Sequence, residues 1–262
     1  MKTFDYHSPK DVKEASKLSS SKSVFLAGGM TTIPSMKLGL ATYKDVINLK
    51  GIKKLSGIKV SGKIVKIGAT TQHAEVAKSK ELKKAIPSLA ALAEGIGDPQ
   101  VRNRGTIGGS IANNDPAADY PSACIALNAV IHTNNRSINA ETFFKGMYET
   151  SLKSGEIIES IEFEVPSKSN YQKLPNPASR YAVIGVYVAR FKGDNVNVAI
   201  TGAKSCAYLD KNLSDALSKD FSTSSINNVN ISSKGINSDI HASANYRANM
   251  IKVYAKKAVE AC

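Results

Sequence analysis

One segment, residues 96–119, restricts the possible folds of this chain more than any other. It is rich in glycine, hydroxyl and carboxylate residues and contains almost no bulky apolar side chain. It therefore has little to offer a hydrophobic core and is better suited to wrapping its backbone around a polar group. Further upstream, residues 26–34 also combine a Gly-Gly pair with neighbouring threonines. Together the two stretches predict a phosphate-binding site assembled from distant parts of the chain.

The residue types in these two glycine loops suit an anion. Glycine has no Cβ and tolerates positive φ, so backbone N–H groups can converge on a phosphate. Hydroxyl groups add donors, and the loops provide Thr31, Thr32, Thr106 and Ser110. Asp119 can accept a hydrogen bond from a ribose or another hydroxyl group. Either loop alone is also consistent with a tight turn between strands, and this alternative stays open at the level of sequence.

The composition is that of an ordinary folded protein, because 42% of the 262 residues are hydrophobic and 22% are charged. No apolar run reaches the roughly 20 residues that a membrane span requires, and the N-terminus lacks the apolar stretch of a signal peptide. The three cysteines lack the spacing of zinc or iron–sulfur ligands. We predict reduced thiols, a cytoplasmic location, and neither a metal site nor an iron–sulfur cluster in this chain.

The net charge of +13 raises the question of a nucleic-acid partner. Nucleic-acid binding requires clustered lysine and arginine side chains, often interleaved with aromatic residues. Here the lysines are spread along the whole chain, and only residues 78–84 form a modest cluster. The charge therefore indicates an anionic ligand or an acidic protein partner, and no nucleic acid.

Local patterns predict an α+β fold. Helices are predicted at residues 11–18, 34–40, 71–77 with Thr71 as N-cap, 87–97, near Ser214, and at 245–259. Strands are predicted at residues 24–27, 46–49, 157–165, 181–191, 195–203 and 206–209, with a hairpin at 58–69. Residues 166–177, rich in Ser, Lys, Asn and Pro, are predicted as a domain boundary, and residues 222–233 as a loop.

Two familiar nucleotide-binding signatures are absent. Residues 57–64 nearly match a phosphate loop, but Ile64 stands where a metal-binding Ser or Thr is required. Residues 95–101 begin like a dinucleotide fingerprint but lack its last glycine and follow a predicted helix rather than a strand. The four histidines have no paired spacing, so we predict that they are structural or exposed, and we predict no catalytic residue.

The glycine segments resemble those of a known family. The runs Ala27-Gly28-Gly29 and Thr70-Thr71, together with the order of residues in 96–119, are similar to the FAD-binding medium subunit of the molybdenum hydroxylases. This family includes xanthine dehydrogenase, aerobic carbon monoxide dehydrogenase and aldehyde oxidoreductases. The resemblance implies a p-cresol-methylhydroxylase-type FAD-binding fold. Its two subdomains would span residues 1–52 and 53–166, with a small C-terminal α+β lobe at 167–262.

The resemblance also implies which residues bind FAD. The first loop would hold the pyrophosphate from one side and the second loop from the other. Asp119 matches an acidic FAD contact of the family, and Tyr181 resembles a residue that covers the isoalloxazine ring in some members. The segment before Tyr181 departs from the family's usual Arg-rich stretch. The implied cofactor-binding residues are Phe25, Leu26, Ala27, Gly28, Gly29, Met30, Thr31, Thr32, Ile96, Thr106, Ile107, Gly108, Gly109, Ser110, Asp119, Ile158, Lys173 and Tyr181.

The function implied by the resemblance is electron transfer within a larger complex. Substrate would be oxidised at a molybdopterin centre in a large subunit, and electrons would pass through [2Fe–2S] clusters of a small subunit to the FAD of this chain. The expected assembly is a heterotrimer or its dimer, with an aldehyde as one candidate substrate and carbon monoxide, purines or N-heterocycles as others. A self-contained FAD-dependent oxidase and a simple anion-binding module are the alternatives.

Overall fold

The first of three main sheets is built by the N-terminal residues. The computed structural model describes residues 1–262. The elements of this first part are β1 (Asp5–His7), α1 (Val12–Lys17), β2 (Ser23–Leu26), α2 (Thr32–Lys37), β3 (Asp45–Asn48) and a 3₁₀ turn (Lys53–Leu55). Strand β3 lies in the middle and pairs in parallel with β1 and β2. Its Val46 and Ile47 are both buried, as a strand covered on both faces requires.

The second sheet carries most of the hydrophobic core. Its elements are β4 (Ile58–Ser61), β5 (Ile64–Gly68), α3 (His73–Lys78), α4 (Lys80–Ala85), α5 (Pro87–Glu94), α6 (Pro99–Arg102), α7 (Ile107–Asn113), α8 (Tyr120–Ala126), β6 (Val130–Thr133), β7 (Ser137–Asn139), α9 (Ala140–Phe143), β8 (Phe144–Gly146), β9 (Glu149–Thr150) and β10 (Ile158–Glu164). Five antiparallel strands lie in the order β4-β5-β10-β6-β7, and β8 and β9 form a separate hairpin. The central β10 buries Ile161 and Phe163 against the helices.

The third sheet belongs to the C-terminal part of the chain. Its elements are β11 (Lys168–Pro175), β12 (Ala182–Arg190), β13 (Val196–Thr201), β14 (Tyr208–Leu209), α10 (Lys211–Lys219), α11 (Thr223–Asn227) and α12 (Ala244–Glu260). The strands are antiparallel in sequence order. One face contributes Tyr187, Ala189 and Ala199 to the core of the second sheet, whereas the other face packs against α10 and α12 in a separate core. No helix is both long and apolar enough to cross a membrane.

Several sequence-based predictions of local structure are confirmed. The strands at 24–27 and 46–49, the hairpin at 58–69 and the final helix at 245–259 all occur within a few residues of their predicted bounds. The overall mixture of helices and strands is the predicted α+β class.

Other predictions of local structure require correction. The glycine-rich segment does feed the core, because it contains α7, whose Ile107 and Ile111 are fully buried. The helix after Thr71 is capped instead by Gln72 in a capping box with Glu75. The Thr71 hydroxyl accepts a hydrogen bond from the N–H of Gly57, at 2.9 Å. Its bond to a neighbouring loop replaces the capping role that local sequence suggested.

Two polar segments are more ordered than their composition indicated. Most of the predicted boundary segment is strand β11, which pairs with β12 along its whole length. Because β11 is an edge strand, its exposed positions tolerate Lys, Ser and Asn. The predicted loop at 222–233 contains α11, which begins with a Ser222 cap and buries Ile226. Side-chain capping and one buried apolar residue are enough to form this short helix.

A buried carboxylate, that of Glu156, fastens the turn after β6 to the segment before β10. It accepts hydrogen bonds from Arg136 Nε at 2.9 Å, Thr133 Oγ1 at 2.8 Å and the Lys153 N–H at 2.8 Å. The hydrogen bond from Arg136 is the main reason that the pKa of Glu156 falls to about 2, although burial opposes this shift. All these donors favour the ionised form of the carboxylate.

We expect Glu156→Gln to lower the free energy of unfolding by about 2 kcal/mol at pH 7. A depressed pKa stabilises the folded state above the ordinary value of 4.5, and this stabilisation is lost as the pH falls towards 2. The difference between variant and wild type, measured by urea unfolding, should therefore shrink at pH 3.

Glu159→Gln is the matched control. Glu159 forms a surface ion pair with Lys54 at 3.4 Å, and such pairs contribute roughly 0–1 kcal/mol. An equal loss of stability in the two variants would contradict the structural role of Glu156.

Candidate functional site

A cavity of about 530 Å³ lies where the three sheets meet. Its walls come from the loop after β2, the N-terminal end of α7, the segment before α8 and the residues preceding β12. The volume falls within the range of about 300–1,000 Å³ that is typical of small-molecule and cofactor sites. The cavity is therefore the candidate binding site.

The predicted cofactor-binding residues converge on this cavity from distant parts of the sequence. Those that line it are Phe25, Ala27, Gly28, Gly29, Met30, Thr31, Thr32, Ile96, Thr106, Gly108, Gly109, Ser110, Asp119, Ile158 and Tyr181. Three others lie outside the lining. Leu26 is half-buried in β2, Ile107 points into the core, and Lys173 contacts the lining residue Asp119.

The loop after β2 offers a row of free backbone donors. None of the N–H groups of residues 27–31 donates to a protein acceptor, and the next regular bond runs from the Ile33 N–H to the Gly29 carbonyl. Gly29 has a φ of +73°, which lets the chain turn sharply here. Successive unpaired N–H groups in a turn form a concave anion-binding site. This loop therefore has the chemistry that a diphosphate requires.

The second glycine loop has a different role, because most of its N–H groups already have partners. The Ile107 N–H donates to the Thr71 carbonyl, the Gly108 N–H to the Ala69 carbonyl, and the Gly109 N–H to Thr106 Oγ1. A Cβ on Gly108 would lie 2.5 Å from that of Ala69. The second loop thus docks tightly on residues 69–71 and adds hydroxyl groups, notably that of Ser110, to the cavity.

The two glycine loops are in direct backbone contact. A Cβ on Gly28 would lie 2.2 Å from the Arg104 carbonyl oxygen and 2.8 Å from Gly105 Cα. Only glycine permits this approach without a backbone shift. The sequence predicted that the loops meet around an anion, whereas the structure adds that they also touch each other.

Two buried polar groups in the cavity wall have no protein partner. They are Thr70 Oγ1 and His73 Nδ1. Burial, and secondarily the charge of Arg102, lowers the pKa of His73 to about 4, so its imidazole is neutral near pH 7. Orphaned buried polar atoms are rare in proteins and point to a missing ligand or water. Sequence analysis treated His73 as structural or exposed, and nothing in its spacing separates it from the other histidines.

Asp119 is a buried carboxylate on the cavity wall. It forms an ion pair with Lys173, whose Nζ lies 3.1 Å from Asp119 Oδ1, and it accepts a hydrogen bond from the Tyr171 hydroxyl. Burial raises the pKa of Asp119, while Lys173 and Tyr171 act against this rise. Sequence analysis did not identify Tyr171. Its position two residues before Lys173 on β11 was the available signal, since such residues share a face of a strand.

One exposed tyrosine, Tyr181, lines the cavity, and a second, Tyr148, bonds to the lining residue Asp115. Tyr181 is 44% exposed and Tyr148 is 59% exposed, and the Tyr148 hydroxyl donates to Asp115 Oδ2 at 3.3 Å. Tyr148 sits on the β8–β9 hairpin, which Asn114 holds by bonds from its Nδ2 to the carbonyl groups of Gly146 and Glu149, both 2.8 Å long. Burial of its ring raises the pKa of Tyr181 to about 12, so the hydroxyl stays protonated. Aromatic faces at this position suit a planar ligand.

Comparison with known proteins identifies the family of this chain. Residues 2–167 match the family described as "FAD binding domain in molybdopterin dehydrogenase". The chain is 34% identical to the carbon monoxide dehydrogenase medium chain of Hydrogenophaga pseudoflava, covering 98% of this chain and 96% of that protein. It is 33% identical to the glyceraldehyde dehydrogenase medium chain of Sulfolobus acidocaldarius, covering 89% and 88% respectively.

The fold is also similar to that of a solved protein structure. A solved structure of carbon monoxide dehydrogenase from Hydrogenophaga pseudoflava superimposes with a TM-score of 0.89 at 32% identity, covering 99% of this chain and 97% of that one. The predicted FAD-binding fold is thereby confirmed. A row of free N–H donors, a glycine that leaves no room for a Cβ and orphaned polar atoms in the wall all fit a bound FAD. The chain therefore belongs to the family of FAD-binding medium subunits of the molybdenum hydroxylases, which are the flavoprotein components of multi-subunit oxidoreductases.

Proposed function

We propose that this chain accepts electrons from [2Fe–2S] clusters of a small partner subunit and passes them, through its FAD, to an external acceptor. When bound, the FAD supplies the ability to exchange electrons singly or in pairs. The protein's own task is then to hold the cofactor and to expose it at the mouth of the cavity. The observation that carries this proposal concerns the ionisable groups of the cavity. Its carboxylates already accept hydrogen bonds from other protein groups, and His73 is neutral near pH 7.

The carboxylates among these groups are hydrogen-bonded to other protein atoms. Asp119 is paired with Lys173, and Glu156 is paired with Arg136. The Asp115 carboxylate accepts hydrogen bonds from the Ala117 N–H and the Tyr148 hydroxyl. General acid–base chemistry requires a group that is free to exchange a proton near the operating pH. The cavity is accordingly equipped to bind a redox cofactor rather than to transform a substrate.

The cofactor contacts follow from the same geometry. We assign the pyrophosphate of FAD to the N–H groups of residues 27–31, with the hydroxyl groups of Thr32, Thr106 and Ser110 beside it. Asp119 is assigned to a hydroxyl group of the cofactor. Tyr181 is assigned to the face of the isoalloxazine ring, where it limits the access of water and of the acceptor.

The assembly that we propose contains a large molybdopterin subunit and a small [2Fe–2S] subunit in the cytoplasm, where the three free cysteines of this chain stay reduced. Relatives with a similar degree of identity are named for carbon monoxide and for glyceraldehyde. Substrate choice thus lies outside this chain, and we propose an aldehyde as the first class to test. The positive net charge of +13 suits an acidic partner surface.

Gly28→Val tests the cofactor-binding site. We expect at least about a tenfold loss of FAD affinity, because the added side chain must displace the Arg104 carbonyl and separate the two loops. Gly108→Val should act in the same direction by displacing Ala69. The measurement is FAD content after purification, together with titration of the flavin-depleted chain.

Gly51→Ala is the matched control, because a Cβ at this position meets no atom within 4 Å. It should retain FAD like the wild type. In all three variants the thermal transition of the C-terminal sheet should persist. Normal FAD occupancy in both valine variants would refute the proposed binding loops.

The electron-transfer role is tested by separating the chain from its partners. We expect glyceraldehyde to bleach the flavin absorbance of the assembled complex but not that of the isolated FAD-loaded chain, since the isolated chain lacks the centre that oxidises substrate. A chemical one-electron donor should bleach both preparations. Bleaching of the isolated chain by the aldehyde would instead support a self-contained oxidase.

A further inference from the structure

Tyr171 belongs to the third sheet, yet its hydroxyl reaches the cofactor cavity. It lies on β11, where its ring stacks on that of Tyr187 with centroids 5.9 Å apart and an interplanar angle of 29°. Its hydroxyl donates to Asp119 Oδ1. A Cβ on Gly185 of the neighbouring strand would lie 2.3 Å from this hydroxyl. The absence of a side chain at Gly185 therefore leaves the space that the hydroxyl occupies.

The backbone that carries Asp119 is fastened by the same sheet. Thr201 Oγ1 donates to the carbonyl groups of Pro116 and Ala118 at 3.0 and 2.7 Å. The Ala182 N–H donates to the Ala117 carbonyl, at 3.2 Å. Lys173 Nζ bridges Asp119 and the Gly95 carbonyl, at 3.0 Å from the latter. The position of the Asp119 carboxylate is thus determined by strands that lie outside the FAD-binding sequence match.

We propose that Tyr171 is a positioning residue that keeps the Asp119 carboxylate ionised and aimed at FAD. This inference rests on the proposed contact between Asp119 and the cofactor. It makes the affinity for FAD depend on the third sheet, through one phenolic hydroxyl. An ionised carboxylate has about four acceptor sites, so Asp119 can bind Tyr171, Lys173 and a cofactor hydroxyl at the same time.

The charges around Asp119 determine in which direction loss of the Tyr171 hydroxyl shifts the pKa of Asp119. The groups that face it are Lys173 and Tyr171 from β11, Tyr120 from α8, and Tyr181 before β12. Lys173 provides the positive charge, and the tyrosines are protonated near pH 7. Because burial favours the neutral acid, loss of the Tyr171 hydrogen bond raises the pKa of Asp119 further. As the pH decreases, Asp119 then becomes protonated, and stops accepting hydrogen bonds as a carboxylate, at a higher pH than in the wild type.

Tyr171→Phe tests the inference, because it removes the hydroxyl and keeps the stacked ring. Flavin-depleted full chain is titrated with FAD between pH 5 and pH 8.5. The affinity should fall as the pH decreases, with a midpoint about one to two pH units above that of the wild type, which is the effect of one hydrogen bond to a charged group. At pH 8.5 the two affinities should agree within a few-fold.

Tyr187→Phe is the control for a purely structural effect. The Tyr187 hydroxyl is also buried and bonds Ser88 Oγ at 2.6 Å, but it does not touch Asp119. Its pH profile should match that of the wild type. A pH-independent loss of affinity in Tyr171→Phe, or the same profile as in the wild type, would overturn the inference.

Two further measurements separate this inference from the proposed function. Asp119→Asn should bind FAD weakly at every pH, and unchanged binding would refute the Asp119 contact itself. At pH 7 the infrared spectrum of the unaltered protein should contain no protonated carboxylic acid band from Asp119. The spectrum of Asp119→Asn should therefore show no loss of such a band. Such a band at pH 7 would overturn the role of Tyr171, and this test holds even if Tyr171→Phe does not fold.

Discussion

The close backbone contact between the two glycine loops is the constraint on which the proposed cofactor site depends. Gly28 lies against Arg104 and Gly105, and Gly108 lies against Ala69. The Gly28 contact joins the first sheet to the second, and the Gly108 contact seats α7 on the residue after β5. The residues with free N–H groups, 27–31, lie in the wall of the cavity. A larger residue at either glycine would separate elements that together form the cavity wall.

The cavity also depends on the C-terminal sheet. Only residues 2–167 match the FAD-binding family, yet β11 provides the two donors to Asp119, and Tyr181 stands at the mouth. The third sheet therefore supports the wall of the cavity and is also a separately packed unit. Buried polar residues that are fully hydrogen-bonded can fix one arrangement of neighbouring elements, and the Asp119 network does so here.

Much of the fold and part of the site could be predicted from sequence. Short apolar runs predicted β2 and β3, and a turn around Gly62 predicted the β4–β5 hairpin, because these signals are local. Strand β11 and helix α11 were not predicted, because their polar residues become ordered through pairing and capping. The environment of His73 could not be predicted either, since its burial depends on packing between distant segments.

The sequence by itself indicated two loops suited to hold an anion, because glycine and hydroxyl residues at short spacing carry that chemistry locally, and the family resemblance named FAD as the ligand. Only the tertiary structure decided which structural role each of the two loops has. The loop at 27–31 keeps its N–H groups free, while two N–H groups of the loop at 105–110, those of Ile107 and Gly108, dock on residues 69–71. The tertiary structure also placed Tyr171 beside Asp119, across 52 positions of sequence. A hydrogen bond between distant residues follows from the packing of whole sheets, and no local pattern records it.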